Sequence, residues 1–173
     1  LKKINKINFR NFGEKLIFDN IKKTLKRIRI NFDNFVNEKQ FYDDGSIEKI
    51  LKIFERKKLS YKKDGAVWLK TSEFGKEVDT VIIKNTGEPT YRLPDIAYHS
   101  NKIKREFDLI INILGADHKD TVPDVINGVK ALGYEINHIK VLIHQFVSLI
   151  VKDEKMKMST RKANFVTLDD LID

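Results

Sequence analysis

The first half of the chain has the apolar spacing of two amphipathic helices. Over residues 14–29, apolar side chains recur three and four positions apart, which places them on one helical face, and basic residues occupy the other faces. This stripe consists of Ile17, Ile21, Leu25 and Ile28. A second helix is predicted to begin at Gly45-Ser46, with Ser46 as its N-cap. Its apolar stripe consists of Ile47, Ile50, Leu51 and Phe54.

Short strand-like segments follow these helices. The Lys-Asp-Gly sequence at residues 63–65 is typical of a turn, and the apolar residues 66–69 after it predict a strand. Residues 81–84 predict another strand, which ends at the Gly- and Pro-containing segment 85–89. Together they predict a small meander, which we interpret as part of an α+β insertion covering residues 31–90.

A different pattern appears further along the chain. Residues 109–114 are nearly all apolar, as a strand buried on both faces of a parallel sheet should be. A helix is predicted over residues 121–132, with Pro123 in its first turn and Gly133 at its end. A second apolar strand is predicted over residues 140–151. Strand, helix and strand with short connections form a βαβ unit, so the sequence predicts an α/β fold with a parallel sheet.

Two more helices are predicted on either side of this unit. Residues 93–104 are helical by pattern, with Pro94 in the first turn. Residues 168–172 form a short last helix after a loop at residues 152–167. Ligands of open parallel sheets bind beyond the carboxyl ends of the strands, so the segments that follow the two apolar strands are the first candidates for a functional site.

Basic residues are concentrated at the start of the chain. The 173 residues include 33 Lys and Arg and 25 Asp and Glu, a formal net charge of +8. Residues 1–30 contain ten basic and two acidic residues, which leaves 23 of each sign for the remainder. Such a basic segment could contact the phosphates of a polyanion. A solvated helix face explains the same charges, and we favour that interpretation.

The composition excludes several classes of site and of protein. The chain has no cysteine, which excludes disulfides, zinc–thiolate sites and cysteine nucleophiles from it. No apolar run approaches the ~18 residues of a membrane-spanning helix, and no signal peptide follows Leu1. We therefore expect no membrane association and a cytoplasmic location. Because the first residue is not Met, we also expect a piece of a longer protein.

Two segments contain candidate chemistry. Gly115-Ala116-Asp117-His118 directly follows the first apolar strand and combines a close backbone approach with polar side chains, although an ordinary turn explains the same residues. Residues 157–162, Lys-Met-Ser-Thr-Arg-Lys, form a basic loop after the second strand. Its cations could neutralise a triphosphate or a leaving pyrophosphate, and a solvated hairpin tip accounts for them equally well.

The order of residues in these segments resembles that of class I aminoacyl-tRNA synthetases. Lys157-Met158-Ser159 resembles the KMSKS signature of the class, and Leu-Gly-Ala-Asp-His at residues 114–118 lies one βαβ unit earlier, as in that class. Within the class the chain resembles arginyl-tRNA synthetase. Residues 87–99 are similar to its Tyr-x-x-x-Asp segment, and residues 32–38 are similar to its substrate glutamate segment. The resemblance covers nearly the whole chain, most strongly from Phe32 onward.

The resemblance implies a site for L-arginine. A guanidinium is planar, permanently charged and has five N–H donors. Tyr91 and Asp95 are four residues apart, so at the start of a helix they can face one pocket. Asp95 and Glu38 would supply carboxylates and Tyr91 a ring and a hydroxyl, while Asp117 would lie near the amino acid or the ribose. Without the resemblance, Asp95 would be a first-turn residue that favours the helix dipole, Tyr91 a core residue and Glu38 a surface charge.

The resemblance also implies a site for ATP. The catalytic residues of the mobile loop would be Lys157, Met158, Ser159 and Arg161. The nucleotide-binding residues would be Gly115, His118, Val147, Leu149 and Lys157. Thr160 stands where the family often has a second lysine, and Arg161 or Lys162 could supply that charge instead. Mg²⁺ is expected to accompany ATP, and no dedicated metal site in the protein is predicted.

The implied fold is the second half of a Rossmann-like catalytic domain. We expect a basic helical segment at residues 1–30, the inserted subdomain at 31–90, and the second half of the catalytic domain at 91–173. The family also has a His-x-Gly-His segment that binds the triphosphate. None of the four histidines, His99, His118, His138 and His144, lies in that pattern. We therefore expect a catalytic-domain fragment of an arginine–tRNA ligase that is inactive when isolated.

Two other interpretations of the sequence stay open. The first is a non-catalytic RNA-binding module derived from a synthetase, which the basic residues at the start of the chain would favour. The second is another class I synthetase with the same loop, which amino-acid discrimination would test. The expected partners are L-arginine, ATP and tRNA. The oligomeric state is not predicted for this chain, and a monomer is expected for the parent protein.

Overall fold

The computed structural model describes residues 9–151, 154–155 and 165–173. The chain forms two compact units. One unit combines residues 1–35 with residues 148–173, and the other is continuous from residue 36 to residue 147. The α/β fold predicted from the sequence is confirmed. The division into three segments that we predicted stays a prediction.

In the first unit, helix α1 (Phe9–Arg27) begins before the predicted start at residue 14 and has no buried residue. Arg29, just after it, adopts a positive φ of 60°, and the chain turns there. Phe35 makes edge-to-face ring contacts with Phe18 and Phe32, at centroid distances of 5.7 and 5.6 Å. These contacts fix the segment that follows α1 against the helix.

The continuous unit begins with two short helices, α2 (Lys39–Asp43) and α3 (Ser46–Arg56). The prediction that Ser46 is the N-cap of α3 is wrong, because Gly45 occupies that position with a left-handed φ of 72°. The Asp44 carboxylate accepts a hydrogen bond from the Ser46 backbone N–H at 2.8 Å. An Asx-type turn therefore satisfies the first free donor of the helix, and Gly45 provides the backbone conformation that the turn needs.

A three-stranded antiparallel meander follows, with strands β1 (Ser60–Lys63), β2 (Ala66–Leu69) and β3 (Thr80–Ile83) in that order. The bounds of β2 agree with the prediction, and β3 begins one residue before its predicted start. Asp64 and Gly65 both have positive φ values, 52° and 75°, and form the tight turn of the first hairpin. A short 3-10 helix (Thr71–Phe74) lies between the second and third strands.

Helix α4 (Arg92–Ile103) packs with α3 and the meander around one apolar core. The buried residues of this core, which we call the main core, are Phe41, Ile47, Ile50, Phe54, Leu69, Ile82, Leu93, Ile96, Ala97, Val125 and Ala131. Leu93 and Ile96 are completely buried. The apolar face of α4 is therefore packed in the main core, and its other side is left to contribute polar groups.

The predicted βαβ unit is present and its sheet is parallel. Strand β4 (Ile110–Gly115) is followed by helix α5 (Val122–Leu132) and strand β5 (Ile139–His144). Gly133 ends α5 with a left-handed φ of 99°, as predicted. The second strand ends at His144 and not at residue 151. His144 pairs with Gly115, the last residue of β4, so the described part of β4 offers no partner beyond that point.

Only one face of this parallel sheet is covered among the described residues. Ile110 and Ile139 pack with Val129 of α5 in a small core. Ile111 and Ile113, on the opposite face of β4, are 52% and 68% exposed. The prediction that β4 is buried on both faces is therefore wrong for the part of the chain that the structure describes.

Helices α4 and α5 approach closely at Gly128. A Cβ atom at this position would lie 2.2 Å from Cδ1 and 2.6 Å from Cγ1 of Ile96, which is completely buried. A methyl group cannot be accommodated at these distances without movement of Ile96. Glycine inside this helix is therefore explained by helix packing.

The last described elements belong to the first unit. Strands β6 (Ile150–Val151) and β7 (Glu154–Lys155) pair antiparallel, and helix α6 (Leu168–Ile172) has the predicted bounds. Thr167 and Asp170 form a capping box at the start of α6. Arg27 of α1 forms ion pairs with Asp169 and Asp173. No helix among the described residues has both the length and the hydropathy needed to cross a bilayer.

Candidate functional site

The start of α4 is the best-defined part of the candidate site. Thr90 donates hydrogen bonds to two carbonyls near β3, from its backbone N–H to Ile82 at 2.9 Å and from its hydroxyl to Val81 at 3.0 Å. Tyr91 is the N-cap residue of α4, and Asp95 lies in its first turn. The meander thus fixes the backbone that presents the two residues of the Tyr-x-x-x-Asp segment.

Asp95 lies on the wall of a cavity of about 170 Å³ between α4, α5 and the parallel sheet. Three sides of the cavity have different chemistry. Polar side chains of α4 form one side, the apolar face of α5 a second, and the strands a third. The residues that line it are Asp95, Tyr98, His99, Lys102, Asn112, Leu114, His118, Thr121, Val122, Val125, Ile126 and Val141.

The pKa of Asp95 is raised above its ordinary value. Burial is the largest cause and the negative charge of Glu38 is the second, while His118 and Lys102 act in the opposite direction. None of the ion pairs found among the described side chains involves Asp95. A bound cation would offset both the unfavourable desolvation of this carboxylate and its repulsion by Glu38.

Glu38 and Tyr91 are exposed at the ends of their helices. Glu38 is the N-cap residue of α2, and its negative charge contributes to the raised pKa of Asp95, but Glu38 does not line the cavity and its role in the site stays a prediction. Tyr91 is 87% exposed and does not line the cavity. It begins the same helix as Asp95, and its role in the site stays a prediction.

A half-buried lysine and a half-buried histidine also line the cavity. Burial lowers the pKa of Lys102 to about 8 and the pKa of His99 to about 4. The Lys102 ammonium donates a hydrogen bond to Asn112 Oδ1 at 2.5 Å and lies 4.3 Å from the centre of the Tyr98 ring. His99 Nδ1 lies 2.9 Å from the backbone oxygen of Asp95, which requires that this nitrogen be protonated.

His99, Lys102 and Asn112 were not identified as site residues from the sequence, although it contains two signals for them. Asp95, His99 and Lys102 are spaced four and three residues apart, so they share one face of α4. Asn112 is the polar residue in the otherwise apolar strand β4, and it is 5% exposed. A buried amide in such a strand needs hydrogen-bond partners, which predicts polar groups on the element that faces it.

The segment after β4 forms a tight turn next to the cavity. A Cβ atom at Gly115 would lie 2.6 Å from Oδ1 of Asp117, so the Asp117 carboxylate folds back over this residue. Asp117 and His118 belong to a short 3-10 helix (Ala116–His118), and both are exposed. Of the two, His118 lines the cavity and Asp117 does not. Their roles in binding arginine or ATP stay predictions.

The other residues proposed for ATP are not brought together in the part of the chain that is described. Val147, three residues after β5, is 80% exposed. Leu149 belongs to the other compact unit. The loop residues Lys157, Met158, Ser159 and Arg161 lie outside the described residues. Within the described ranges, no group of three or more His, Asp or Glu side chains is arranged to hold a metal ion.

Comparison with protein families gives a match over almost the whole chain. Residues 2–173 match the model described as tRNA synthetases class I (R), catalytic domain. A relative from Desulfotalea psychrophila named arginine–tRNA ligase is 55% identical over 165 residues, which are 95% of this chain and 30% of the relative. An arginine–tRNA ligase from Salinibacter ruber is 48% identical over 165 residues, 95% of this chain and 29% of the relative.

Solved structures agree with this match. A protein from Campylobacter jejuni, assigned as an arginyl-tRNA synthetase, superposes with a TM-score of 0.80 at 32% identity, over 94% of this chain and 35% of that protein. The arginyl-tRNA synthetase of Plasmodium falciparum has a TM-score of 0.66 at 16% identity, over 82% of this chain and 26% of that protein, and this likeness concerns the fold alone. The chain spans about 30% of the length of the curated relatives it matches. It belongs to the family of class I tRNA synthetases for arginine, within their catalytic domain.

Proposed function

We propose that the chain is part of the catalytic domain of an arginine–tRNA ligase, which activates L-arginine with ATP and transfers the arginyl group to tRNA. The observation on which the proposal rests is the half-buried Asp95 carboxylate. It lies at a cavity wall under the influence of Glu38, and no cation among the described side chains forms an ion pair with it. The names of the relatives, arginine–tRNA ligases, support the same conclusion.

The guanidinium of arginine suits this pair of carboxylates. It is a permanent cation with a planar set of donors, and a carboxylate can accept two of its N–H bonds at once. In this proposal Asp95 binds the guanidinium directly, Glu38 adds a second negative charge, and Tyr91 contributes its ring and hydroxyl. Asp117 lies at the other end of the substrate, near its amino group or the ribose.

The chemical step needs positioning and charge stabilisation more than a reactive side chain. A carboxylate oxygen of arginine attacks the α-phosphorus of ATP, the bond between the α- and β-phosphates breaks, and pyrophosphate leaves with the bonding electrons. The arginyl-adenylate then reacts with a hydroxyl at the 3′ end of tRNA, and AMP leaves. Lys157 and Arg161 would neutralise the phosphates, with Met158 and Ser159 in the same loop.

The nucleotide would lie beyond the carboxyl ends of β4 and β5. We assign Gly115 and His118 to its ribose side and Val147 and Leu149 to its adenine. Mg²⁺ would accompany the triphosphate. A cytoplasmic location and a monomeric parent protein belong to the same proposal.

A chimeric enzyme tests the proposal. The chain replaces the matching segment of the Desulfotalea psychrophila ligase, and arginine-dependent exchange of pyrophosphate into ATP is measured. We expect activity with arginine and none with citrulline, which is similar in shape but uncharged. Asp95→Asn should raise the KM for arginine by about 100-fold, because it removes the charge that faces the guanidinium. The isolated chain should show only background exchange.

The matched control is Asp79→Asn. The Asp79 carboxylate accepts hydrogen bonds from the Tyr61 hydroxyl at 2.9 Å and from the Ser72 backbone at 3.0 Å, within the meander. This variant should keep the KM for arginine within about threefold of the parent chimera. A folded but inactive parent chimera would contradict the ligase assignment. Equal use of citrulline, or an unchanged KM in Asp95→Asn, would contradict the recognition of arginine by Asp95.

A further inference from the structure

The carboxylate of Asp124, in the first turn of α5, is completely buried and has three hydrogen-bond donors around it. It accepts hydrogen bonds from the Lys76 ammonium, from the Thr80 hydroxyl at 3.0 Å, and from Nε of Arg92 at 2.6 Å. Burial by itself would raise its pKa, but the bonds from Lys76, Arg92 and Thr80 outweigh burial and hold the pKa below its ordinary value. We call these four residues the Asp124 network.

The Asp124 network joins segments that are far apart in the sequence. Lys76 and Thr80 precede and begin β3, Arg92 is the first residue of α4, and Asp124 belongs to α5. Arg92 directly follows Tyr91 and lies three residues before Asp95. The bond between Arg92 and Asp124 therefore ties the first turn of α4, where the proposed arginine ligands lie, to the first turn of α5.

The start of α4 depends on such external bonds. Tyr91 is its N-cap residue in helical conformation, and the Tyr91 side chain makes no capping hydrogen bond. The free N–H groups of a first turn are normally satisfied by a capping side chain, which also fixes the direction of the chain. Here the direction is set from outside, by the bonds of Thr90 to the segment of β3 on one side and by the bond of Arg92 to Asp124 on the other.

We infer that Asp124 is a positioning residue of the arginine site, which acts through Arg92 to hold Tyr91 and Asp95 in place. Asp124 does not line the cavity, so it has no direct contact with a ligand there. The inference rests on the proposed function, because it concerns the binding of arginine by Asp95. It adds a specific route, from a buried carboxylate on α5 to the first turn of α4, by which the site is held in a fixed geometry.

The alternative is that Asp124 only stabilises the fold, by holding Lys76 and the meander against α5. Substitutions that remove different hydrogen bonds of Asp124 distinguish these two roles. Lys76→Met removes the bond to the meander side and leaves the bond between Arg92 and Asp124 intact. Asp124→Asn and Arg92→Gln both disrupt that bond. If Asp124 positions the site, the second pair of variants should affect the start of α4 and Lys76→Met should not.

Amide hydrogen exchange of the full 173-residue chain gives the first test. Two amides report on the first turn of α4, since the Leu93 N–H bonds to Thr90 and the Asp95 N–H bonds to Tyr91, each at 3.2 Å. Asp124→Asn and Arg92→Gln should accelerate exchange at these amides by about 10-fold or more, and Lys76→Met should change it by less than about twofold. Equal acceleration in all three variants, or none in Asp124→Asn, would overturn the inference whatever the chain binds.

Kinetics of the chimeric ligase give the second test. Asp124→Asn should raise the KM for arginine about 10-fold and leave kcat and the KM for ATP within about twofold, and Asp124→Glu should recover most of the loss. A fall in kcat together with a rise in the KM values for both arginine and ATP would indicate a purely structural role and would overturn the inference. An inactive parent chimera would count against the proposed function alone, and the exchange experiment would still decide whether Asp124 positions α4.

Discussion

The main core and the parallel sheet lie in the same compact unit and differ in how completely they are covered. The main core has eleven buried residues from helices α2 to α5 and from the meander, whereas the small core beside the sheet has three among the described residues. Phe54 of the main core is completely buried, whereas Ile113 of β4 is 68% exposed. Helices α4 and α5 belong to both regions.

This difference explains where the candidate site lies. A binding site needs rigid supports and also open space, and a fully packed core has no open space. Helices α4 and α5 contribute buried residues to the main core, and side chains of both helices also line the cavity next to the sheet. Asp95 is therefore presented by a helix that is fixed on one side and open on the other.

Loss of packing in the main core should destabilise the chain most. Phe54→Ala should lower the free energy of unfolding by about 3–5 kcal/mol, because it leaves a cavity in the fully packed main core. Ile113→Ala, at the exposed face of β4, should lower it by less than about 0.5 kcal/mol. Urea denaturation followed by circular dichroism gives both values. Similar losses in the two variants would mean that the face of Ile113 is covered in solution.

The cavity between the regions should make stability depend on pH through His99. Its pKa is about 4 in the folded chain, against an ordinary value of 6.5. Because the folded-state pKa is the lower one, the folded chain resists protonation of His99. Its contribution to stability is complete above pH 6.5 and is lost as the pH falls toward 4. Between pH 7.5 and pH 5 the titration of His99 should lower the free energy of unfolding by about 2 kcal/mol.

His99→Gln isolates this contribution, because glutamine has no charge to gain. The free energy of unfolding is measured by urea denaturation at pH 7.5 and at pH 5. Its decrease between the two pH values should be smaller for the variant than for the wild type by about 2 kcal/mol. Equal pH dependence of the two proteins would show that water reaches the imidazole, so that the cavity is open at its depth.

The smallest expected effect concerns the contact that joins the two regions. Gly128→Ala should lower the free energy of unfolding by about 1 kcal/mol. Crowding against Ile96 should destabilise the folded chain by about 1–3 kcal/mol, and the better helix propensity of alanine should stabilise it by about 1 kcal/mol. Gly13→Ala in α1 is the matched control, since an added Cβ there meets no atom of the described residues within 4 Å. It should not destabilise the chain, and a stabilising Gly128→Ala would mean that α4 and α5 separate easily.

Local patterns in the sequence predicted much of the fold. The turn at residues 63–65, the bounds of β2 and the end of α5 at Gly133 follow from turn residues and from periodicity. The parallel pairing of β4 and β5 followed from the order of elements. These features depend on neighbours within a few residues or on the chirality of a crossover, so a single sequence contains enough information to predict them.

The predictions that were wrong, and the contacts that were missed, depend on residues far apart in the sequence. The end of β5 depends on where its partner β4 ends, and the burial of β4 depends on what covers the sheet. The bonds of Asp124 to Arg92 and Lys76 span 32 and 48 residues. No local spacing predicts such contacts, because they are set by the packing of several elements. The resemblance to a family suggested Asp95 and Glu38, but the cavity polar groups His99, Lys102 and Asn112 appeared only in the structure.

The Asp124 network also limits the order in which this sequence can evolve. Loss of Asp124 alone would leave the Arg92 guanidinium and the Lys76 ammonium without their shared anion, and loss of Arg92 alone would leave a buried charge with one fewer partner. Replacing one member of a buried ionic group is more harmful than replacing the whole group with apolar residues. Positions 76, 92 and 124 should therefore vary together among close relatives, and a lineage that changes one of them should soon acquire a compensating change in another.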